Sequence, residues 1–440
     1  MNKKLVFATV VSALGSLLFG FDTAVISGTT KYITQYFSLT DTTLGITVSM
    51  ALWGTVVGSI AVGKPGDLFG RRAMLFVTAA MYLVSSVGCA LSRSLEALMI
   101  FRFLGGIAIG AASVMAPMYI AELSPARIRG RLVAVAQFNI VIGILIAFFS
   151  NYLLVNIGPD NWRWMFGVVA IPSALFFILL FIVPESPRWL MKMGRREQAK
   201  GVLAGVGASN VESELEEIGR SLQEEHGTTK LLQRKYAFVI MLASLLAFFT
   251  QASGINVIMY YAPMIFEKAG ASTSSAMLEA VAVGITNLIF TIIAMFLIDK
   301  IGRRPLLMIG GVGMFISLAS AALHYYDSSL VSDAAMVVSI LGFVACFAFS
   351  QGAVVWVFLS EIFPNRIRGK GQALGSFVDW VVNAFVGLLF PLALANFGGG
   401  DVFMFFAVLM IPFFFFVLKI MPETKGKSLE ELEKLVVVDN

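Results

Sequence analysis

The stretch Asp67-Leu68-Phe69-Gly70-Arg71-Arg72 returns 232 residues later as Asp299-Lys300-Ile301-Gly302-Arg303-Arg304. Two more stretches return with it. Glu122-Leu-Ser-Pro-Ala-Arg-Ile-Arg-Gly130 reappears as Glu361-Ile-Phe-Pro-Asn-Arg-Ile-Arg-Gly369 at an offset of 239, and Pro184-Glu185-Ser186 as Pro422-Glu423-Thr424 at 238. Three motifs in one order at nearly one spacing mark a duplicated unit. Self-similarity of this kind bears on the whole architecture before any local reading does.

What lies between the motifs is apolar. The 440 residues are 58% hydrophobic and only 13% charged, with a mean hydropathy of +0.85. A water-soluble chain carries about 25% charged residues. Too few charges remain to clothe a surface in water, so a lipid bilayer is the expected surroundings. Twelve runs are long enough to cross it: 5–29, 44–63, 73–91, 97–119, 132–154, 162–183, 236–262, 277–298, 305–325, 334–360, 371–395 and 401–420. A crossing takes about 20 residues at about 1.5 Å each. Helices are the default, because they satisfy every backbone group within the segment. The alternating segments of about ten residues that build a β-barrel are absent.

The expected fold is an all-α integral membrane protein with twelve transmembrane helices in two pseudo-symmetric six-helix bundles, plus short cytoplasmic helices. The bundles should span residues 1–188 and 233–420, joined by a cytoplasmic helical linker at 189–232 and followed by a tail at 421–440. Parallel repeats of this kind share a two-fold axis along the membrane normal and place a ligand site between them near mid-bilayer. In the linker, Val211, Leu215, Ile218 and Leu222 recur at helical spacing, with glutamates on the other faces. With both termini in the cytoplasm, the outer loops and span mouths hold only Lys31, Arg93, Arg163 and Lys268. Arg102 lies inside a span, and the other 27 of 32 basic residues are cytoplasmic. That asymmetry sets the orientation.

Several functions are disfavoured. The net charge of +5 is distributed by topology, so no nucleic acid is expected. Cys89 and Cys346 sit in apolar runs and imply no disulfide framework. Lys3-Lys4 precedes a run too long for a signal-peptide core, and more spans follow. No Asn-x-Ser/Thr sequon occurs, in keeping with a bacterial inner membrane. No nucleotide-binding Gly-x-x-x-x-Gly-Lys-Ser/Thr, metal-ligand cluster or catalytic set is evident, so neither an enzyme nor a cofactor is expected. His226 in the linker and His324 near an outer loop are expected to be solvated.

Three groups of polar residues carry chemistry. The repeated motifs set acids and arginines at helix ends: Asp67, Arg71, Arg72, Glu122, Arg129, Glu185 and Arg188 in the first half, and Asp299, Arg303, Arg304, Glu361, Arg368 and Glu423 in the second. Arginine–carboxylate pairs there could bridge helices and act as a cytoplasmic gate network. Within the spans, Gln137, Gln251, Asn256, Asn287, Asp379 and Asn383 lie within about 10 Å of mid-bilayer. Amides donate and accept, which suits a neutral polyol, and Trp356 and Trp380 offer flat faces to a sugar ring. Asp22, in Gly15-Ser-Leu-Leu-Phe-Gly-Phe-Asp-Thr-Ala24, is an acid inside the first span. Such acids are costly and functional by default. Arg102 in the fourth span lies at matched depth and is its expected partner. Each reading has a plainer one beside it: arginines that only enforce topology, amides that only join helices at about 0.6–2 kcal/mol per pair, and a permanent structural salt bridge.

The motifs Gly66-Asp-Leu-Phe-Gly-Arg-Arg72, Pro184-Glu-Ser-Pro-Arg-Trp-Leu190, Gln251-Ala-Ser-Gly-Ile-Asn256, Asp299-Lys-Ile-Gly-Arg-Arg304 and Pro422-Glu-Thr-Lys-Gly426 resemble those of the sugar porter branch of the major facilitator superfamily, over essentially the whole chain. The resemblance implies sugar contacts for Gln137, Gln251, Asn256, Asn287, Trp356 and Trp380. It also implies proton coupling, since proton-coupled members have Asp at the position of Asp22 and facilitative ones Asn. The chain is thus expected to be a monomeric symporter of a monosaccharide, hexose or pentose, with a proton. A facilitative uniporter, a transporter-fold sugar receptor and a drug–proton antiporter are the alternatives. Three positions depart from the pattern. Thr250 replaces a Gln. The run Gly352-Ala-Val-Val-Trp356 lacks the usual proline, so a bend in span ten should rely on Gly352. Asp379 replaces an Asn or Gln, as a second intramembrane acid without an obvious basic partner.

Overall fold

Apolar runs that cannot leave a backbone group unpaired in lipid form helices throughout. The computed structural model describes residues 2–125, 128–208, 210–224, 231–364, 366–427 and 431–433, without the side chains at 129, 130, 223 and 224. His226 and the Arg129 side chain therefore lie outside the described residues. The first repeat runs through α1 (Lys3–Phe37), α2 (Asp41–Ala61), α3 (Gly63–Phe69), α4 (Arg71–Leu91), α5 (Leu95–Leu123), α6 (Arg129–Leu154), α7 (Asn161–Gly167) and α8 (Ala170–Leu179). The linker holds α9 (Pro187–Lys192), α10 (Arg196–Val206) and α11 (Val211–Glu224). The second repeat runs through α12 (Ala237–Ala252), α13 (Ile255–Lys268), α14 (Thr273–Ile301), α15 (Arg303–Tyr326), α16 (Asp333–Phe349), α17 (Gln351–Ile362) and α18 (Arg368–Lys419).

Eleven helical stretches among the described residues are long and apolar enough to cross a membrane. The last of them is interrupted by Gly398, at φ +79°, so α18 contains two spans and the total is twelve. Serines cap several entries: Ser94, Ser272 and Ser332 accept from the N–H groups of Ala97, Ser275 and Ala335, satisfying donors that a helix start leaves free. In the linker, Leu215 is buried with Val211 and Ile218 partly so, as the spacing predicts. They pack with Trp189, Leu190, Ala199 and Leu203 of α9 and α10 into a small core.

The chain divides into two compact units. One comprises residues 1–25, 50–147 and 160–228; the other comprises 26–49, 148–159 and 229–440. In the first, α2 and α5 approach at glycines. A Cβ on Gly106 would fall on the Ala51 carbonyl, and one on Gly110 on that of Thr55. Backbones this close are how membrane helices gain packing energy where lipid offers no hydrophobic drive. In the second, the ends of α1 and α2 away from the repeated motifs join the second repeat. Lys31 Nζ lies 2.8 Å from Glu267 Oε1 of α13 and 2.5 Å from Thr273 Oγ1 of α14.

Two expectations need correction. His324 is buried rather than solvated, and its Nδ1 lies 2.7 Å from the Val331 carbonyl. The loop after α15 folds back over the ring. The interruption of span ten falls at Ser350 (φ −114°, ψ −93°), not at Gly352. Ser350 bonds its own previous turn, Oγ to the Cys346 carbonyl at 2.5 Å, and a Cβ on Gly310 would collide with it. A serine that bonds back to the i−4 carbonyl can bend a helix, so no proline is required.

Candidate functional site

Asp22 and Arg102 meet. Arg102 Nη1 lies 3.1 Å from Asp22 Oδ2 and 3.4 Å from the Asp22 carbonyl, and the two residues are 1% and 3% exposed. Phe166 of α7 lies under the guanidinium, 5.6 Å from its carbon, a cation–π contact that helps hold the charge in an apolar setting. A Cβ on Gly105 would lie 3.4 Å from Asp22 Oδ2 and press on Ser85, so the absent side chain makes room for the acid. Among the described residues no donor bonds Asp22 Oδ1. The carboxylate therefore has one oxygen held by arginine and one that can take a proton without displacing it. Among the described residues the Tyr82 hydroxyl and Arg102 Nε are also buried without a hydrogen-bond partner.

The second polar group forms at a broken helix. Span seven is not one helix but two, α12 and α13, parted at Gly254 with φ +85°. A side chain there would meet the Phe406 ring at 2.8 Å, and the positive φ suits glycine alone. The break sets Gln251 and Asn256 on either side of a disrupted turn. Asn256 Nδ2 donates to Gln251 Oε1 at 2.6 Å, and Gln251 Nε2 donates to Asp379 Oδ1 of α18 at 2.9 Å. One turn further along α18, Asn383 and the Tyr260 hydroxyl bond each other, at 2.9 and 3.1 Å. Interrupted helices near mid-bilayer are tolerated where they line a binding cavity.

The structure thus brings together Gln251, Asn256 and Asp379, with Asn383 beside them on α18. Trp380, adjacent to Asp379, is buried, and so is Asn287 on α14. Trp356 on α17 is 40% exposed. Gln137 is exposed on α6 of the first unit. Sequence reasoning missed Tyr260 and Gln351. Gln351 is fully buried at the start of α17, and among the described residues neither of its amide atoms has a hydrogen-bond partner. Its signal was available: it is a lone amide between apolar runs, beside Gly352.

The repeated motifs build the same device twice. In the first repeat, Arg71 Nε donates to both Glu122 oxygens, at 3.1 and 3.0 Å, while Nη1 reaches Asp67 at 2.9 Å and the Gly66 carbonyl at 2.7 Å. Glu185 Oε1 receives the N–H groups of Arg71 and Arg72, both at 3.0 Å, and so caps α4. In the second, Arg303 reaches Glu361 at 2.7 Å, Asp299 at 3.1 Å and the Ile298 carbonyl at 3.2 Å, and Glu423 caps α15 through the N–H groups of Arg303 and Arg304, at 3.0 and 2.9 Å. Even the hydroxyl is repeated: Ser186 bonds Glu122, and Thr424 bonds Glu361. Arg72 and Arg304 reach the carbonyls of Leu180 and Val417, and Arg368 reaches that of Phe363 at 3.3 Å. Burial pushes Glu423 upward, but the N–H groups of Lys425, Arg304, Arg303 and Thr424 outweigh it and hold the acid below its usual range. Asp67 is likewise held low, with Lys192 and Arg71 outweighing its burial. These contacts join helices within one repeat. Arg188 lies on α9, two residues after Ser186.

A family model described as "Sugar (and other) transporter" matches residues 8–436. The chain belongs to the sugar transporter family. The D-xylose-proton symporter of Escherichia coli strain K12 is 40% identical over 99% of this chain and 96% of its own. The arabinose-proton symporter of Bacillus subtilis is 38% identical over 98% and 94%. Among solved structures, the inward open conformation of the xylose transporter XylE from E. coli is 38% identical over 98% of this chain and 99% of its own, with a TM-score of 0.88. XylE bound to 6-bromo-6-deoxy-D-glucose, described as a proton symporter of the major facilitator superfamily, is 39% identical over 99% and 100%, with a TM-score of 0.82. As a sugar transporter the protein is a multi-pass membrane carrier of the major facilitator fold, and not an enzyme.

Proposed function

We infer that this sugar transporter is a secondary active carrier, importing a monosaccharide with a proton by alternating access. The observation that carries the reading is the buried Asp22–Arg102 pair with its one open oxygen. A proton arriving at Oδ1 neutralises the acid without first breaking the pair. Arg102 then faces a neutral group, and the tie between α1 and α5 weakens. Removing one member of a buried pair changes stability by about 3–5 kcal/mol, enough to bias a two-state carrier strongly. The relatives named as D-xylose- and arabinose-proton symporters support proton coupling and a hexose or pentose as cargo.

The sugar-binding residues proposed in the second repeat are Gln251, Asn256, Asn287, Trp356, Trp380, Asp379 and Asn383, and Gln137 is the candidate in the first. Amides satisfy hydroxyls and the tryptophans cover C–H faces. The bundles 1–188 and 233–420 act as the two moving bodies, and the paired motif networks brace their cytoplasmic ends. Both termini face the cytoplasm of a bacterial inner membrane, supported by the distribution of Lys and Arg, and a single chain is the working unit. Purified protein in liposomes tests the reading. A proton gradient, inside alkaline, should drive sugar accumulation above equilibrium, and sugar addition should alkalinise a weakly buffered outside. Sugar uptake that equilibrates but ignores the gradient would instead mark a uniporter.

A further inference from the structure

Helices α4 and α5 leave an apolar groove of about 660 Å³ on the surface of the first unit, at the ends of their spans away from the repeated motifs. Val84, Val87 and Leu91 of α4 form one wall, and all three are exposed. Ala97 and Phe101 of α5 form the other. Gly88 lowers the floor between them. A Cβ there would fall 2.3 Å from the Phe101 ring, so the ring packs directly on the α4 backbone. From Leu83 to Leu91 the α4 wall runs about 12 Å along the helix. Both helices are long and apolar enough to be membrane spans, so this length faces hydrocarbon and suits an apolar chain.

One end of the groove is polar and positively charged. The turn Ser92-Arg93-Ser94 joins the two helices there and lines it. Hydrogen bonds pin this turn. Ser92 Oγ donates to the Gly88 carbonyl at 2.7 Å, and Arg163 Nη1 donates to the carbonyls of Ala90 and Ser92 at 2.8 and 2.7 Å. Arg163 also meets Asp160, at 3.3 Å, so its charge is already engaged. Arg93 is exposed, and among the described residues it makes no ion pair. Glu96, the nearest acid along the chain, is exposed and lies outside the lining. A guanidinium is suited to grip a phosphate through paired N–H donors. Placed at the boundary of a span, with an apolar groove leading from it into the membrane, it matches an amphiphile with an anionic head.

We propose that this groove is a binding site for an anionic phospholipid: one acyl chain lies between α4 and α5, and the headgroup phosphate sits against Arg93. The site goes beyond the carrier reading and does not rest on it, since no residue assigned to sugar or proton lines the groove. A lipid with a net negative headgroup is preferred over a zwitterionic one, because Arg93 brings a charge that no acid of the groove cancels.

Photo-crosslinking reads this one site rather than all the lipid bound to a basic protein. The purified full-length protein would be placed in phosphatidylcholine nanodiscs. A minor share of the lipid would carry a diazirine on one acyl chain, with either a phosphatidylglycerol or a phosphatidylcholine headgroup, and the labelled residues would be mapped by peptide mass. In the wild type, phosphatidylglycerol should label residues 83–91 and 97–101 about fivefold more than phosphatidylcholine, the weight of one basic residue beside an anionic headgroup. Excess unlabelled phosphatidylglycerol should compete that labelling away. Arg93→Gln should bring the two lipids level, and Arg93→Lys, which keeps the charge, should retain the preference. Arg93→Ala serves as a second neutral variant should Arg93→Gln fail to fold. Val87→Trp fills the groove and should lower its labelling by both lipids. Equal labelling by the two lipids in the wild type would overturn the proposal. So would a preference that survives in the neutral variants. A groove that neither lipid labels would also overturn it, and would leave that face to a protein neighbour.

Discussion

Asp22 has two oxygens in different surroundings, and the proposal that it is the proton site rather than a fixed bridge rests on that difference. Oδ2 is held by Arg102 at 3.1 Å; Oδ1 has no donor among the described residues. Asp22→Asn keeps the shape but cannot take up and release a proton. It should abolish uphill sugar accumulation in liposomes while leaving sugar–sugar exchange intact. Accumulation that survives in the variant would move the coupling site elsewhere. Tyr82 gives a second prediction at this scale. Among the described residues its hydroxyl is buried without a hydrogen bond, so Tyr82→Phe removes a desolvated group and no partner. Thermal stability should be unchanged or rise, by up to about 1–3 kcal/mol. A clear loss of stability would show that the hydroxyl is held after all.

At the scale of elements, the second repeat works through its interruptions. Spans seven and ten are each two helices, broken at Gly254 and Ser350. The first break separates Gln251 from Asn256 and lets them bond each other. Gly254→Ala would force a side chain into a left-handed conformation and against Phe406. Strain of about 1–3 kcal/mol should appear as a lower melting temperature together with weaker sugar binding, because both flanking amides move. Weaker binding at an unchanged melting temperature would tie the break to the ligand alone. The motif Gln251-Ala-Ser-Gly-Ile-Asn256 is visible in sequence, yet the apolar run around it reads as one continuous span. Hydropathy averages over a single residue with an unusual φ. The break at Ser350 is harder still to read, because a serine back-bonded to its own helix has the composition of an ordinary span.

At the scale of the molecule, two copies of one ionic network brace the two repeats. Asp67 and Glu423 are both held below their usual range. Their contribution to stability is therefore complete above the unfolded values, about 3.9 and 4.3, and is lost as pH falls through the lower folded ones. Melting temperature should be flat from neutral pH down to about pH 5 and fall below about pH 4. Glu423→Gln should flatten part of that acid limb and lower stability at neutral pH, since it takes a charged cap from the start of α15. An acid limb identical in wild type and variant would remove Glu423 from the account. The Lys31–Glu267 pair, partly exposed, is a lesser tie. Lys31→Ala should cost no more than about 1 kcal/mol, read as a small shift in melting temperature that vanishes in high salt.

The sequence by itself determined the class of this protein, its duplication and the pairing of Asp22 with Arg102. Each follows from constraints that act along the chain. A bilayer fixes the length and apolarity of a span, a duplication leaves motifs in order, and a buried charge needs an opposite one at its own depth. Only the tertiary structure decided which oxygen of Asp22 lacks a donor among the described residues, where spans seven and ten break, and which amide bonds which carboxylate. These depend on side chains from helices far apart in sequence. Gln251 and Asp379 are 128 residues apart, and no local pattern states that an amide on α12 will bond a carboxylate on α18.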